Sequence, residues 1–217
     1  GNGCSFAAAA QLLQPGKACV SASAFTLYGD RRSGNCLKIV FAADWLGLDY
    51  RFVDVDIMTG ESRTPEFLAV NPAGQVPAVD FGGGKTLAQS NAVLLFLAEN
   101  SALLPEDPFL RAKVNEWLFW EQYSHEPYVA VCRFHMVYQG KAASEREAWR
   151  VERAEAALDH MEARLAGKSF LVGEALSVAD ISLLAYTRLA GEGGFDLSQR
   201  PNLTAWITRC ETALELA

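Results

Sequence analysis

A chain of 217 residues with a net charge of −7, half of it hydrophobic and 21% charged, has the length of one large domain or two small ones and an ordinary soluble composition. No Lys/Arg-rich cluster interrupts the acidity, which argues against nucleic acid as a partner, and no apolar stretch approaches the roughly 18–20 residues of a membrane span. Five scattered cysteines (Cys4, Cys19, Cys36, Cys132, Cys210) form no C-x-x-C pair, and His125, His135 and His160 have no second ligand at metal spacing. This pattern argues against a disulfide framework and a bound metal, and suits a reducing cytoplasm.

Residues 1–24 are rich in Ala, Gly and Ser and lack the basic n-region of a signal peptide, so they are expected to be a leader or an extension outside the fold. A short helix near Ala7–Leu13 is compatible with them. Phe25–Gly29 then reads as a buried strand, followed by a loop over Asp30–Asn35 and a helix over Cys36–Leu46, closed by Gly47. Arg51–Asp56 alternates at period two and predicts a second strand. Pro65–Val70 predicts a short helix with proline in its first turn. Asn71-Pro-Ala-Gly-Gln-Val-Pro77 is a turn leading into a third strand over Pro77–Phe81, with proline where a ladder donor is not needed. A cis bond at Val76–Pro77 would turn the Val76 N–H and C=O outward, free to pair with an extended ligand. A glycine turn at 82–84, a strand near Thr86–Ala88 and a helix from Ser90 complete a mixed-sheet α/β unit; the glycines lack the Lys of a phosphate loop.

Leu104–Pro108 punctuates the chain and is the expected linker between an α/β unit over 25–103 and an all-helical unit over 109–217. One long aromatic-rich helix is expected over Phe109–Gln139, kinked near Pro127. The stripe Ala148, Val151, Ala154, Leu158, Met161 and Leu165 predicts a helix within 143–165. Ser177 and Asp180 form a capping box with Leu176 and Ile181 as a hydrophobic staple, which makes Asp180 structural. A last helix is expected over Asn202–Leu214.

A thioredoxin-like half with a proline before its third strand, a proline-marked linker and a helical half with this capping box together resemble the cytosolic glutathione transferases. The resemblance runs from Phe25 to the C-terminus. It is carried by Asn71–Pro77, by Gln89-Ser-Asn-Ala92 and by Leu176-Ser-Val-Ala-Asp180 in register. Ser33-Gly-Asn-Cys36 is similar to the Ser-x-x-Cys loop of the theta and delta classes, and Asn35 matches the Asn of the nu-like bacterial class. The resemblance implies a homodimeric cytoplasmic detoxification enzyme that takes glutathione as co-substrate, with no metal, and joins it to a small hydrophobic electrophile.

The chemistry to be done is to hold glutathione as a thiolate. A free thiol titrates near ~8.5, and a hydrogen bond to a charged group contributes roughly 1.5–3 kcal/mol, enough to lower the pKa by about one to two units. Ser33 is the expected donor, beside the positive end of the helix that follows, with Asn35 a second donor or the main one. Either residue can instead cap that helix. Following the resemblance, Val76 and Pro77 carry the cysteinyl part, Gln89 and Ser90 the γ-glutamyl carboxylate, and Gln75 the glycyl end. Cys36 reads as packed rather than nucleophilic. Trp120, Tyr123, Tyr128 and Arg133 on the long helix are candidates for the second-substrate pocket, although a core stripe or a dimer seam accounts for them too. A nu-like disulfide reductase and a non-catalytic binding module remain the alternatives.

Overall fold

The computed structural model describes residues 25–216; the expected leader, with Cys4, Cys19 and the Ala7–Leu13 stretch, lies outside them. Strand β1 (Phe25–Gly29) pairs in parallel with β2 (Tyr50–Asp54) and antiparallel with β3 (Ala78–Asp80), which pairs antiparallel with β4 (Thr86–Ala88). The order across the sheet is β2-β1-β3-β4. A parallel neighbour needs a crossover, and α1 (Gly34–Leu46) supplies it between β1 and β2. It ends at Gly47, whose φ of 65° is the left-handed turn that a side chain disfavours.

The period of two along β1 sends its residues to two cores. Phe25 and Leu27 join the main core, where α1 and α3 (Ser90–Ala98) also pack. Tyr28 faces a smaller cluster of Val55, Phe67 and Ala78, closed by α2 (Pro65–Val70). The Val76–Pro77 bond is cis, and Pro77 stands immediately before β3 rather than inside it, where its missing N–H removes no ladder bond.

The expected single helix over Phe109–Gln139 is two helices. Between α4 (Pro108–Trp120) and α5 (Glu126–Val137) lies a π-helical turn, Glu121–His125. Pro127 has no N–H for the helical ladder, and the widened turn just before it places the break there. Helix α6 (Ala148–Leu165) buries Ala154, Leu158, Met161 and Leu165 from the expected stripe, but residues 143–145 form a separate 3-10 turn. Helix α7 (Val178–Thr187) is buried along its whole length, and α8 (Pro201–Ala213) packs over it and α6.

Asp180 is fully buried and accepts from Leu171 N, Ser177 N, Ser177 Oγ and Trp206 Nε1 at 2.8–3.0 Å. The expected capping box is present, and the Ser177 hydroxyl also donates to Asp180. Burial pushes the Asp180 carboxyl up, against the pull of those donors. The carboxylate anchors α7 to α8 and to the segment before α7.

The two halves are joined by a charge pair with no solvent exposure. Lys38 Nζ of α1 lies 2.9 Å from Glu121 Oε1 in the π turn. Asn91 Nδ2 donates to the other Glu121 oxygen at 3.1 Å, and Ser182 Oγ of α7 donates to Asn91 at 2.7 Å. Burial pushes the Glu121 carboxyl up, but the Lys38 ammonium outweighs it and holds the group below its usual range. One turn on, buried His125 has its Nε2 3.0 Å from Thr187 Oγ1, while Thr187 donates to Leu183 O at 2.6 Å. Nε2 therefore carries the proton, and Nδ1 is left without a partner among the described residues. Burial depresses the His125 pKa to about 4.

Lys38→Met leaves the buried Glu121 carboxyl without its counter-charge, and is expected to lower stability by about 3–5 kcal/mol in urea unfolding followed by circular dichroism. Adding Glu121→Leu should recover part of that loss; a double variant no better than the single would contradict the pairing. For His125 the folded pKa lies below the unfolded value. Its contribution is therefore complete above about pH 6.5 and is lost as the pH falls towards 4, by up to about 3 kcal/mol. His135 and His160 are also shifted down and act with the same sign. His125→Asn should flatten the loss between pH 6.5 and 5, and an unchanged slope would refute the assignment.

Candidate functional site

A cleft of about 600 Å3 opens where the β1–α1 loop, the turn before β3 and the start of α3 face α5 and α7. That volume falls within the range of small-molecule sites. The β1–α1 loop is tied at both ends. Asp30 accepts from Arg32 N, Nε and Nη2 at 2.8–3.1 Å, and Ser33 N donates to Asp30 O at 3.0 Å. Burial pushes the Asp30 carboxyl up, but Arg32 holds it below its usual range. From the other half, Arg133 donates to Arg32 O at 2.7 Å while Glu192 holds its Nε at 2.7 Å.

Ser33 occupies the N-cap position of α1 with φ −79° and ψ 122°, but its side chain caps nothing. Half-buried at the cleft, it lies against the Cys36 sulfur and the Tyr186 phenol. Asn35 differs. Its Nδ2 donates to Glu126 Oε1 at 3.2 Å, and its Oδ1 accepts from Ser90 Oγ at 3.0 Å. Ser90 is buried, and its Oγ also sits 3.4 Å from Lys38 Nζ. The Ser90 hydroxyl is thus committed to the network below the cleft, and the first backbone N–H groups of α3 have no partner within the helix. The adjoining Gln89 lines the cleft at φ 69°, a left-handed conformation that costs a non-glycine residue of order 1–3 kcal/mol. Strain of this kind concentrates at ligand sites.

Gln75, Val76 and Pro77 form the opposite rim. Asn71 shapes it, its Nδ2 donating to Gln75 O at 2.7 Å and its Oδ1 accepting from Ala73 N at 3.1 Å. Neither the N–H nor the C=O of Val76 is hydrogen-bonded among the described residues. Cys36 is fully buried beneath Gly29, and burial pushes its thiol up to about 11. Its thiol is not a nucleophile of the cleft.

Of the four residues expected on the helical wall, Arg133 alone lines this cleft. Trp120 packs on Trp117 and His160 at a separate groove, Tyr123 is 82% exposed, and Tyr128 stands edge-on to Trp149. For Tyr128 the π turn is the physical reason, since its extra residue shifts the faces of α5 relative to α4 in a way an unbroken helical period does not carry. The wall consists instead of Gln122, Glu126, Ala130, Phe134 and Tyr138, with Tyr186 from α7. Burial and the neighbouring Glu121 charge push the Glu126 carboxyl up. Arg63 lines the cleft from the β2–α2 loop and donates to Ala73 O at 3.2 Å. Sequence patterns passed over these residues because each sits on a helix face or in a polar loop with no local signature. Among the described residues no group of three His, Cys, Asp or Glu side chains is placed to hold a metal.

A family profile described as "Glutathione S-transferase, N-terminal domain" matches residues 23–99, and one described as "Glutathione S-transferase, C-terminal domain" matches 141–209. The chain is 32% identical over 192 residues to glutathione S-transferase 3 of Zea mays, covering 83% of this chain and 86% of that protein. The crystal structure of a glutathione S-transferase from Pseudomonas fluorescens superposes with a TM-score of 0.84 at 48% identity, over 88% of this chain and 96% of the other. Ure2p in complex with glutathione superposes with a TM-score of 0.80 at 26% identity, over 90% and 98%. With a four-stranded thioredoxin-like unit, an all-helical unit behind it and relatives matching along most of its length, the chain belongs to the glutathione S-transferase family.

Proposed function

We propose that the chain conjugates glutathione to small apolar electrophiles and that Ser33 stabilises the reacting thiolate. The observation that carries this reading is the contrast between two neighbours. The Ser33 side chain caps nothing at the start of α1, whereas the Asn35 side-chain amide is bonded on both sides, to Glu126 and Ser90. A hydroxyl there donates to a sulfur anion that already feels the positive end of α1. The glutathione backbone lies along the free N–H and C=O of Val76 as an added strand. Its γ-glutamyl carboxylate meets Gln89 and the first N–H groups of α3, and its glycyl end lies towards Gln75 and Arg63. The thiolate attacks the electrophile across the cleft, where Ala130, Phe134 and Tyr138 offer an apolar wall; the new S–C bond forms as the leaving group departs with its electron pair.

The family fold of Ure2p, whose structure contains glutathione, supports a glutathione site here. Buried, unpaired Cys36, Cys132 and Cys210 favour a reducing, cytoplasmic setting. Phe119 and Tyr123, one turn apart at the end of α4 and in the π turn, are 77% and 82% exposed, and Phe96 of α3 is 56% exposed. Large apolar exposure of this kind suits a face covered by a second copy.

Ser33→Ala should cut conjugation of an activated aryl halide by about tenfold or more, given roughly 1.5–3 kcal/mol per charge-assisted bond, while Asn35→Ala costs less. The reverse order in steady-state kinetics, with disulfide reduction as the stronger activity, would replace this reading by a glutathione-dependent reductase. No heat of glutathione binding at millimolar concentration would leave only a binding module. Light scattering should give twice the chain mass, and a monomer would remove the second copy from the proposal.

A further inference from the structure

Gly34 separates Ser33 from Asn35, and its lack of a side chain is filled from the other half of the molecule. A Cβ at Gly34 would stand 2.7–2.8 Å from Cδ1, Cε1 and Cζ of Tyr186. The phenol ring of α7 therefore lies directly on the first turn of α1, only 7% exposed, and it lines the same cleft as Ser33. Burial pushes its phenol pKa up, and its hydroxyl sits beside the Ser33 side chain and the backbone N–H of Asn35.

From this placement we propose that Tyr186 is a positioning residue for Ser33, its phenolic O–H donating to Ser33 Oγ so that the single Ser33 proton is directed at the glutathione sulfur. A serine hydroxyl carries one proton and two lone pairs. Left to rotate, it can spend that proton on a nearby acceptor such as the Cys36 sulfur, whose ionisation it already influences. A donor filling one lone pair removes that freedom, and hydrogen bonds in series polarise one another. Tyr186 stays a neutral phenol throughout, so no proton is transferred. The other charged and titratable groups around the pair are Cys36 on α1, Asp30 and Arg32 in the loop, and Glu126, Arg133 and Tyr138 around α5. The inference rests on the reading of Ser33 given above and adds that thiol activation depends on how α7 is docked.

The test is the pH titration of the thiolate ultraviolet absorbance of bound glutathione in four proteins: wild type, Ser33→Ala, Tyr186→Phe and the double variant. Tyr186→Phe keeps the ring on Gly34, so the fold is retained and glutathione KM should change less than twofold. Its bound thiol pKa should rise by about 0.5–1 unit, with kcat/KM at pH 6.5 falling about three- to tenfold and recovering at pH 9. In the Ser33→Ala background the same substitution should add nothing. A shift in Ser33→Ala but none in Tyr186→Phe, or fully additive shifts in the double variant, overturns the relay and leaves the Ser33 reading standing. No shift in Ser33→Ala overturns both.

Discussion

Lys38 and Glu121 meet where neither sees water, and the arrangement of the site follows from their pairing. Two charges leave solvent together only when geometry and further hydrogen bonds offset their desolvation, and here Asn91 and Ser182 complete the set. The pair sits on the helix that starts at Ser33 and on the π turn that precedes α5. It therefore sets how far the helical half stands from the thioredoxin-like half. Ser90, bridging Lys38 and Asn35, carries the same network up to the floor of the cleft.

The cleft is consequently a shared construction. The β1–α1 loop belongs to one half by sequence, yet its Arg32 carbonyl is held by Arg133 from the other. Asn35 is oriented by Glu126 of α5, and Gly34 is covered by Tyr186 of α7. Helix α7 in turn is held by Asp180, whose four donors include the indole of Trp206 on α8. A position on α8 is thus linked through packed, hydrogen-bonded side chains to the residue beside Ser33, with no need of a mobile element.

Much of this was legible in the chain because it depends on neighbours in sequence. The strand of Phe25–Gly29, the proline ahead of the third strand and the stripe of α6 each follow from spacing or from what proline cannot do. The capping-box partners Ser177 and Asp180 are three residues apart, and the contact between them is local. The box forms as its spacing implies, while the contact of Asp180 with Trp206 spans the domain. On the long helix local reasoning stopped at the π turn. The period of 3.6 does not survive an inserted residue, so beyond the turn Tyr128 does not line the cleft while Phe134 and Tyr138 do.

By itself the sequence determined the order of the strands, the division into an α/β half and a helical half, and the family, because hydrophobic period, turn chemistry and short motifs are properties of contiguous residues. Which side chains are left free to act was decided by the tertiary structure alone. Whether Ser33 or Asn35 keeps an uncommitted donor depends on Glu126, Ser90 and Tyr186, which lie 50 or more positions away in the chain. Hydrogen-bond capacity is spent in space, and only the packed halves show where.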